Sequence, residues 1–157
     1  MLRPNRSGGA MFQGAAALSL DAKGRLAIPS RHRDALAVEN GQVVITAHPH
    51  GCLIVYPVPA WEPIRDKVLS APSLDPVSAQ LKRLLVGFAQ DEALDSAGRV
   101  LIAPSLRQFA RLEKQVWLVG QGSHFELWSD AGWQKQQEAM MALAGTGLPP
   151  GFESLAL

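Results

Sequence analysis

The sequence has a single cysteine, Cys52, so it cannot form an internal disulfide, as expected of a protein in the reducing cytoplasm. No stretch approaches the roughly 18 uninterrupted apolar residues that a membrane span requires, and the basic start leads into no apolar signal core. With 47% hydrophobic and 18% charged residues, the composition excludes a disordered chain. These features predict a soluble cytoplasmic protein, and 157 residues suffice for one ordinary domain or two small ones that share a core.

Net charge is also small, at +1, but it is unevenly distributed. Residues 1 to 33 contain six basic residues and only one acidic residue, Asp21, a net charge of +5 that leaves the remainder at −4. A basic end on a near-neutral protein favours a face that meets a polyanion. A basic surface that is merely solvated is the alternative.

The chain contains an internal duplication. The segment LDAKGRLAIPS from Leu20 returns as LDSAGRVLIAPS from Leu94, at an offset of 74 that becomes 75 if Ala103 is treated as an insertion before Pro104. Further matches follow in the same order: 42–46 with 115–119, 53–56 with 125–128, and Trp61 with Trp133. Ordered matches with small length changes indicate a duplication, and such repeats decide the fold class.

Each copy begins with a predicted hairpin. Leu18, Leu20, Leu26 and Ile28 alternate about a turn at 21–24, and the turn at 95–98 is its counterpart. Asp21 and Asp95 can accept backbone N–H bonds at the turn entrance, and Gly24 and Gly98 supply the positive φ that bulged turns require. After the hairpins, Ser30 and Ser105 are predicted to N-cap short helical turns, and strands are predicted at 42–47, 115–119, 52–56 and 124–128.

Three longer helices are also predicted. The first spans 60–70, and Asp75 caps the second with Pro76 in its first position. Ser129 caps a third that ends near Gly145, and the tail that starts at Gly147 is predicted to be loose. The apolar stripe of the second helix is expected to pack on the joint core or to form an oligomer contact; it comprises Val77, Leu81, Leu84, Leu85 and Phe88.

The arginine after each turn is the main candidate for DNA binding. Arg25 and Arg99 stand at the base of their hairpins, and a guanidinium can bond O6 and N7 of guanine or clamp a phosphate. Lys23, Arg31 and Arg33 are expected to lie near Arg25 and to contact phosphates. The alternative is a salt bridge from Asp to Arg that only braces the turn, and the two roles are compatible if the Asp orients the Arg.

The residues that carry a family resemblance run from Met11 to about residue 143. They are MFQG at 11–14, DAKGRLAIP at 21–29, YPVPAW at 56–61, RLLVG at 83–87, DSAGR at 95–99 and FELW at 125–128. Together they resemble the MraZ transcriptional regulators. Residues 1–10 precede the usual Met-Phe start of that family and are expected to be a disordered extension, with no function placed on them.

The resemblance implies an α+β fold, mainly β, built from internally duplicated AbrB-type swapped-hairpin β-barrel units with short flanking helices. The expected domains are 15–59 and 88–131, separated by a helical connector at 60–87 and followed by a C-terminal helix and tail at 132–157. It also implies a cytoplasmic, nucleoid-associated ring oligomer that binds tandem repeats upstream of the cell-division and cell-wall gene cluster. No cofactor, metal or membrane partner is expected.

The two copies differ in their basic residues. With the insertion at Ala103, the positions of Lys23, Arg31 and Arg33 align with Ala97, Leu106 and Gln108, and only Arg107, opposite His32, partly compensates. This alignment predicts that the first copy makes most DNA contacts, whereas the second mainly builds the ring and contributes Arg99. Arg107 completes the set of predicted DNA-binding residues.

Other classes of function are less well supported. The paired Asp turns resemble those of aspartic proteases, but there Gly follows Asp by two positions, and an Arg four residues on would keep each Asp ionised. His48, His50 and Cys52 could ligate zinc on an extended strand, although a loop is the better account.

Two further alternatives involve binding. The four tryptophans could stack on single-stranded nucleic acid, but their duplicated positions fit core packing better. An AbrB-type unit could instead act as an oligomerisation module through a protein partner, as antitoxins do. That module is the main alternative to a promoter-binding regulator.

Overall fold

The computed structural model describes residues 11–157, with the backbone alone for Ala144, so the expected extension at 1–10 lies outside the described residues. This part of the chain forms eight strands and five α-helices. In chain order they are β1 Ala15–Ser19, β2 Arg25–Ala27, α1 Ser30–Leu36, β3 Gln42–Ala47, β4 Leu53–Pro57, α2 Val58–Leu69, α3 Pro76–Leu85, β5 Gln90–Ala93, β6 Arg99–Leu101, α4 Pro104–Phe109, β7 Gln115–Gly120, β8 Phe125–Ser129 and α5 Asp130–Met141, followed by a 3₁₀ turn at Ala142–Gly145.

The predicted strands are confirmed to within one residue, and the three longer helices are present. The second ends at Leu85, before Phe88, and the third ends at Met141 and continues to Gly145 only as a 3₁₀ turn. The side chain of Asp75 caps α3 by accepting from Ser78 N, and that of Ser129 caps α5 by accepting from Gly132 N, as predicted. The predicted caps at Ser30 and Ser105 are wrong. Pro29 and Ala103 are the N-cap residues of α1 and α4, and neither helix has a side-chain cap.

The strands pair across the two copies. The larger sheet has the order β1-β7-β8-β4-β3-β5, and β2 pairs with β6 in a separate two-stranded sheet. The counterpart strands of the two copies, β1 and β5, β7 and β3, and β8 and β4, lie at symmetric positions from the two ends of this sheet. The two copies are therefore related by a pseudo-twofold axis. After a single bridge between Leu20 and Leu26, the predicted hairpin arms separate, and each pairs with the other copy.

This topology is the α+β, internally duplicated, swapped-hairpin fold that the family resemblance implies, but within residues 11–157 it does not contain the closed barrel that was also expected. The six-stranded sheet of the described residues does not close on itself, because β1 and β5 form its two edges. Crossed pairing gives the copies one shared core. Leu26, Leu36 and Val55 of the first copy pack there with Val100 and Phe125 of the second, all at most 1% exposed.

Helices cover the other face of the sheet. In the first copy, α2 and α3 enclose Tyr56 and Trp61, and the hydroxyl of Thr46 donates to Leu85 O at 2.6 Å. In α3 the predicted apolar stripe packs on this core only at its C-terminal end, because Val77 is 75% and Leu81 38% exposed. No helix among residues 11–157 has the length and apolar character to cross a membrane.

Candidate nucleic-acid interface

The first Asp-x-x-Gly-Arg segment, residues 21–25 (turn 1), is closed by its aspartate. Oδ1 of Asp21 accepts from the backbone N–H of Lys23 at 2.9 Å and of Arg25 at 2.8 Å. Oδ2 accepts from Nε of Arg25 at 2.7 Å. Gly24, at φ +83°, donates its N–H to Asp21 O. The aspartate therefore fixes both the backbone and the guanidinium of Arg25.

The second segment, residues 95–99 (turn 2), repeats this geometry. Oδ1 of Asp95 accepts from the N–H groups of Ala97 and Arg99, both at 2.9 Å, and Oδ2 accepts from Nε of Arg99 at 2.9 Å. Gly98 has φ +76°. The salt bridge from Asp to Arg, which was the alternative interpretation of each motif, is thus present in both turns, and it also orients the arginine.

Both carboxylates are held in the ionised form. The pKa of Asp21 lies below its ordinary value, chiefly because the backbone N–H of Arg25 donates to it, and the pKa of Asp95 is lowered in the same way by Arg99. Each carboxylate pairs with its own arginine, so neither is arranged to share a proton with the other. The aspartic-protease alternative therefore has no support in the geometry.

The two arginines lie on one exposed face. In the β2–β6 sheet Arg25 is opposite Leu101, Leu26 is opposite Val100, and Ala27 is opposite Arg99. Side chains alternate across a strand, and the middle pair is buried in the core, so the flanking residues project from the opposite side. The side chains of Arg25 and Arg99 are 30% and 38% exposed.

Arg33 and Arg107 lie across the copies rather than beside the arginine of their own turn. Arg33 Nε donates to Ile28 O at 2.7 Å, and Arg107 Nε donates to Ile102 O at 2.8 Å. A Cβ placed on Gly24 of turn 1 would lie 2.7 Å from Nε of Arg107, and one on Gly98 of turn 2 would overlap the guanidinium of Arg33. Each arginine therefore packs on the opposite turn.

These contacts correct the alignment of the copies. Arg33 and Arg107 occupy equivalent places, which keeps the offset at 74 through the N-terminal turns of α1 and α4. Pro29 and Ala103, the two N-cap residues, are equivalent in the same way. The insertion placed at Ala103 is therefore wrong. The sequence was misleading because it matched Pro29 to Pro104 by identity, whereas the backbone matches Pro29 to Ala103.

The basic residues are grouped differently from the prediction. A groove beside turn 1 is lined by Asp21, Gly24 and residues of the second copy, including Arg107 and Lys114. No local pattern in the sequence pointed to Lys114. Its carbonyl accepts from Leu20 N at 2.8 Å, and the approach of β1 to β7 brings it to turn 1.

Of the other predicted DNA-binding residues of the first copy, only Lys23 is observed beside Arg25. Arg33 lies against turn 2, and Arg31 is exposed near the start of α1 without a hydrogen bond to either turn among the described residues. Lys23 is exposed within turn 1 itself, so it stays beside Arg25 as predicted.

The suggested zinc ligands form a loop between β3 and β4. His48 N donates to Cys52 O, and Nδ1 of His48 accepts from His50 N at 3.0 Å. Cys52 is buried, which raises the pKa of its thiol to about 12 and disfavours the thiolate that binds metal. No cluster of three metal-ligating side chains occurs within residues 11–157.

The tryptophans pack in the protein and are not part of this interface. Trp61, Trp128 and Trp133 are 4%, 6% and 8% exposed, and the stacked rings of Trp117 and Trp133 are 6.1 Å apart. The indole N–H of Trp117 donates to Asp130. Core packing, the preferred interpretation of their duplicated positions, is confirmed.

Comparison with known proteins identifies close relatives. A family model described as "MraZ protein, putative antitoxin-like" matches residues 11–84 and again 85–144. A protein of Aromatoleum aromaticum named transcriptional regulator MraZ is 74% identical over 147 residues, which cover 94% of this chain and all of that protein. Relatives of the same name in an Azoarcus species and in Nitrosomonas europaea are 69% and 48% identical, with the same coverage.

Proposed function

The chain belongs to the MraZ family, and on that premise we propose that it is a transcription regulator that binds double-stranded DNA through turns 1 and 2. The observation that carries this proposal is the pair of aspartate-oriented arginines, Arg25 and Arg99, on one exposed face. The names of the relatives describe regulators, so we infer no enzymatic activity.

The geometry leaves the terminal NH₂ groups of each turn arginine available for binding. In both turns Nε is bonded to the aspartate, whereas the two terminal NH₂ groups have no hydrogen-bond partner within residues 11–157. Two terminal donors in a planar fork match O6 and N7 of guanine, or two phosphate oxygens. Because the aspartate restrains the guanidinium before binding, less side-chain freedom is lost on contact with DNA.

The basic groups around the two turns are unequal. Turn 1 itself contains Lys23 and Arg25, and the groove beside it is lined by Arg107 and Lys114 together with Glu113. Turn 2 contains Arg99, with Arg33 packed on it, and has Ala97 in place of the lysine. We expect turn 1 to contribute more phosphate contacts and a larger share of the salt dependence. The asymmetry predicted from the sequence is therefore kept, but its basic residues come from both copies.

We further propose that several chains bind side by side as a ring on tandem promoter repeats of the cell-division and cell-wall gene cluster, in the cytoplasm at the nucleoid. Family membership supports this assignment. One chain offers only two arginine turns, so useful affinity requires several linked units. The exposed side chains of Leu74, Val77 and Leu81 offer an apolar surface near α3 through which copies could associate.

The test is a titration of DNA from the chain's own upstream region at several salt concentrations. Arg25→Ala and Arg99→Ala should each weaken binding by about 5- to 150-fold, as expected for a lost bidentate contact of roughly 1–3 kcal/mol. Lys23→Ala should lower the salt slope by about 1. Arg65→Ala is the matched control, since Arg65 is also paired through Nε with an aspartate, Asp66, but lies on α2. Equal losses for Arg25 and Arg65 would contradict the proposal.

The second candidate is an antitoxin-like module that acts through a protein partner, which the description of the matching family favours. A DNA-binding experiment on the purified chain distinguishes the two candidate functions. A shift of tandem-repeat DNA by the chain alone, with a native mass that corresponds to copies of this chain only, supports the regulator. Binding of DNA that depends on a second protein supports the module.

A further inference from the structure

Each turn is enclosed by residues of the opposite copy. Ile28 N donates to Gly98 O at 2.9 Å, while Ile28 O accepts from Arg33 Nε at 2.7 Å. The side chain of Arg33 passes over Gly98, so closely that a Cβ there would lie 2.7 Å from its Cδ. Two residues of the first copy therefore contact Gly98, the residue before Arg99. Ile28 binds its carbonyl, and Arg33 packs against its Cα.

The pseudo-twofold axis repeats this arrangement. Ile102 N donates to Gly24 O at 2.9 Å, and Ile102 O accepts from Arg107 Nε at 2.8 Å. Arg107 crosses Gly24, the residue before Arg25, and a Cβ on Gly24 would lie 2.7 Å from its Cζ. The same contact at both turns shows that it belongs to the duplicated design of the fold.

We propose that Arg33 and Arg107 are positioning residues, each of which holds the turn of the opposite copy in the conformation that presents its arginine. Arg33 acts on turn 2 and Arg107 on turn 1. The inference rests on the proposed DNA binding and changes the role that the sequence predicted for these residues, which was direct contact with phosphate.

Arginine suits this role better than lysine does. Its Nε reaches the isoleucine carbonyl while the planar guanidinium lies flat against a residue that has no Cβ. Both side chains are half-buried in the contact. A lysine keeps the positive charge but has no donor at that position and no flat surface, so Arg→Lys separates positioning from charge.

Backbone amide chemical shifts of the free protein give the first test. Arg33→Lys should shift the amides of turn 2, about 65 residues away in sequence, and leave turn 1 unchanged. Arg107→Lys should do the reverse. Arg31→Lys, an exposed site on the same helix as Arg33, should move neither turn. Shifts confined to the turn of the variant's own copy, or no shift in either turn, would overturn the proposal.

A double-mutant cycle on DNA gives the second test. Arg33→Lys should weaken binding about two- to tenfold, the range expected for one lost hydrogen bond, and should leave the salt slope unchanged because the charge stays. The loss should vanish in an Arg99→Ala background and persist in an Arg25→Ala background. Equal losses in both backgrounds would mean that Arg33 contacts DNA independently of turn 2, and would overturn the proposal.

The two tests keep this proposal distinct from the proposed function. If the unmodified chain does not bind its upstream DNA, the proposed function fails, and the amide shifts alone support or overturn the positioning role. If Arg33→Lys does not fold, Gly98→Ala disturbs the same contact from the side of the turn. Its amide shifts should then extend to Ile28 and Arg33, and shifts confined to turn 2 would overturn the proposal.

Discussion

Replacing Gly98, a buried residue of turn 2, by alanine should destabilise the protein by more than the strain of its backbone alone. Gly98 has φ +76°, where an L side chain is strained, and a Cβ there would overlap the guanidinium of Arg33. Arg33 cannot yield freely, because its Nε is bonded to Ile28 O at 2.7 Å. The substitution therefore combines strain in the backbone with displacement of a side chain of the other copy.

The structure sets the size of the effect. Left-handed backbone costs an alanine about 1–2 kcal/mol. Loss of the hydrogen bond between Arg33 and Ile28 adds roughly 0.5–1.5 kcal/mol. We expect Gly98→Ala to lower the free energy of unfolding by about 2–3 kcal/mol, measured by urea denaturation with linear extrapolation.

Gly41→Ala is the matched control. Gly41 has φ +71°, close to that of Gly98, but no atom lies within 4 Å of its ideal Cβ. It should therefore show the backbone cost alone, about 1–2 kcal/mol. The difference between the two variants measures the contact across the copies.

Removal of the arginine gives the decisive comparison. In an Arg33→Ala background, Gly98→Ala should cost no more than Gly41→Ala does, because the overlapping side chain is gone. If Gly98→Ala and Gly41→Ala are equally destabilising in the unmodified protein, Arg33 moves aside without cost. That result would refute the claim that the two copies hold each other's turns.

Three further predictions concern the core and its titratable groups. Cys52, with its thiol pKa raised to about 12 by burial, should react with a thiol reagent only at the rate of unfolding, and rapid reaction in the native state would contradict its burial. Burial lowers the pKa of His32, His48 and His124 below the ordinary 6.5. Because the unfolded chain then binds more protons than the folded protein, the Tm should fall as the pH drops from 7.5 to 5. An unchanged Tm would contradict the lowered pKa values of these histidines. Leu26→Ala, at a fully buried site shared by the copies, should lower the free energy of unfolding by about 2–5 kcal/mol in denaturant titrations, and a loss below 1 kcal/mol would show that this core is not tightly packed.

Much of the local structure could be read from the sequence. The strands after each turn follow from apolar runs, and the caps at Asp75 and Ser129 follow from a polar residue placed before a helical pattern. Ser30 misled because a serine that precedes a helical pattern can also be the first helical residue, and here Pro29 stands at the N-cap. Local spacing cannot distinguish these two registers.

The strands that pair with the two arms of each predicted hairpin could not be read from the sequence in the same way. Leu18, Leu20, Leu26 and Ile28 predict a hairpin, and its turn forms, but β1 leaves to pair with β7 and β2 to pair with β6. Alternation states which side of a strand is buried, not which strand lies beside it. For that reason Lys114 was not considered, and Arg33 was assigned to the wrong turn.

The sequence by itself determined the duplication, because matched segments recur in the same order in both halves of the chain. It also determined the two Asp-Arg turns and the arginines that they present, because each turn depends on residues within five positions of one another. The tertiary structure alone decided that Arg33 holds turn 2 and Arg107 holds turn 1. The physical reason is that neither copy can bury its apolar face alone. Each completes the other's sheet and core, and their crossed pairing brings together residues that lie 65 or more positions apart in the chain.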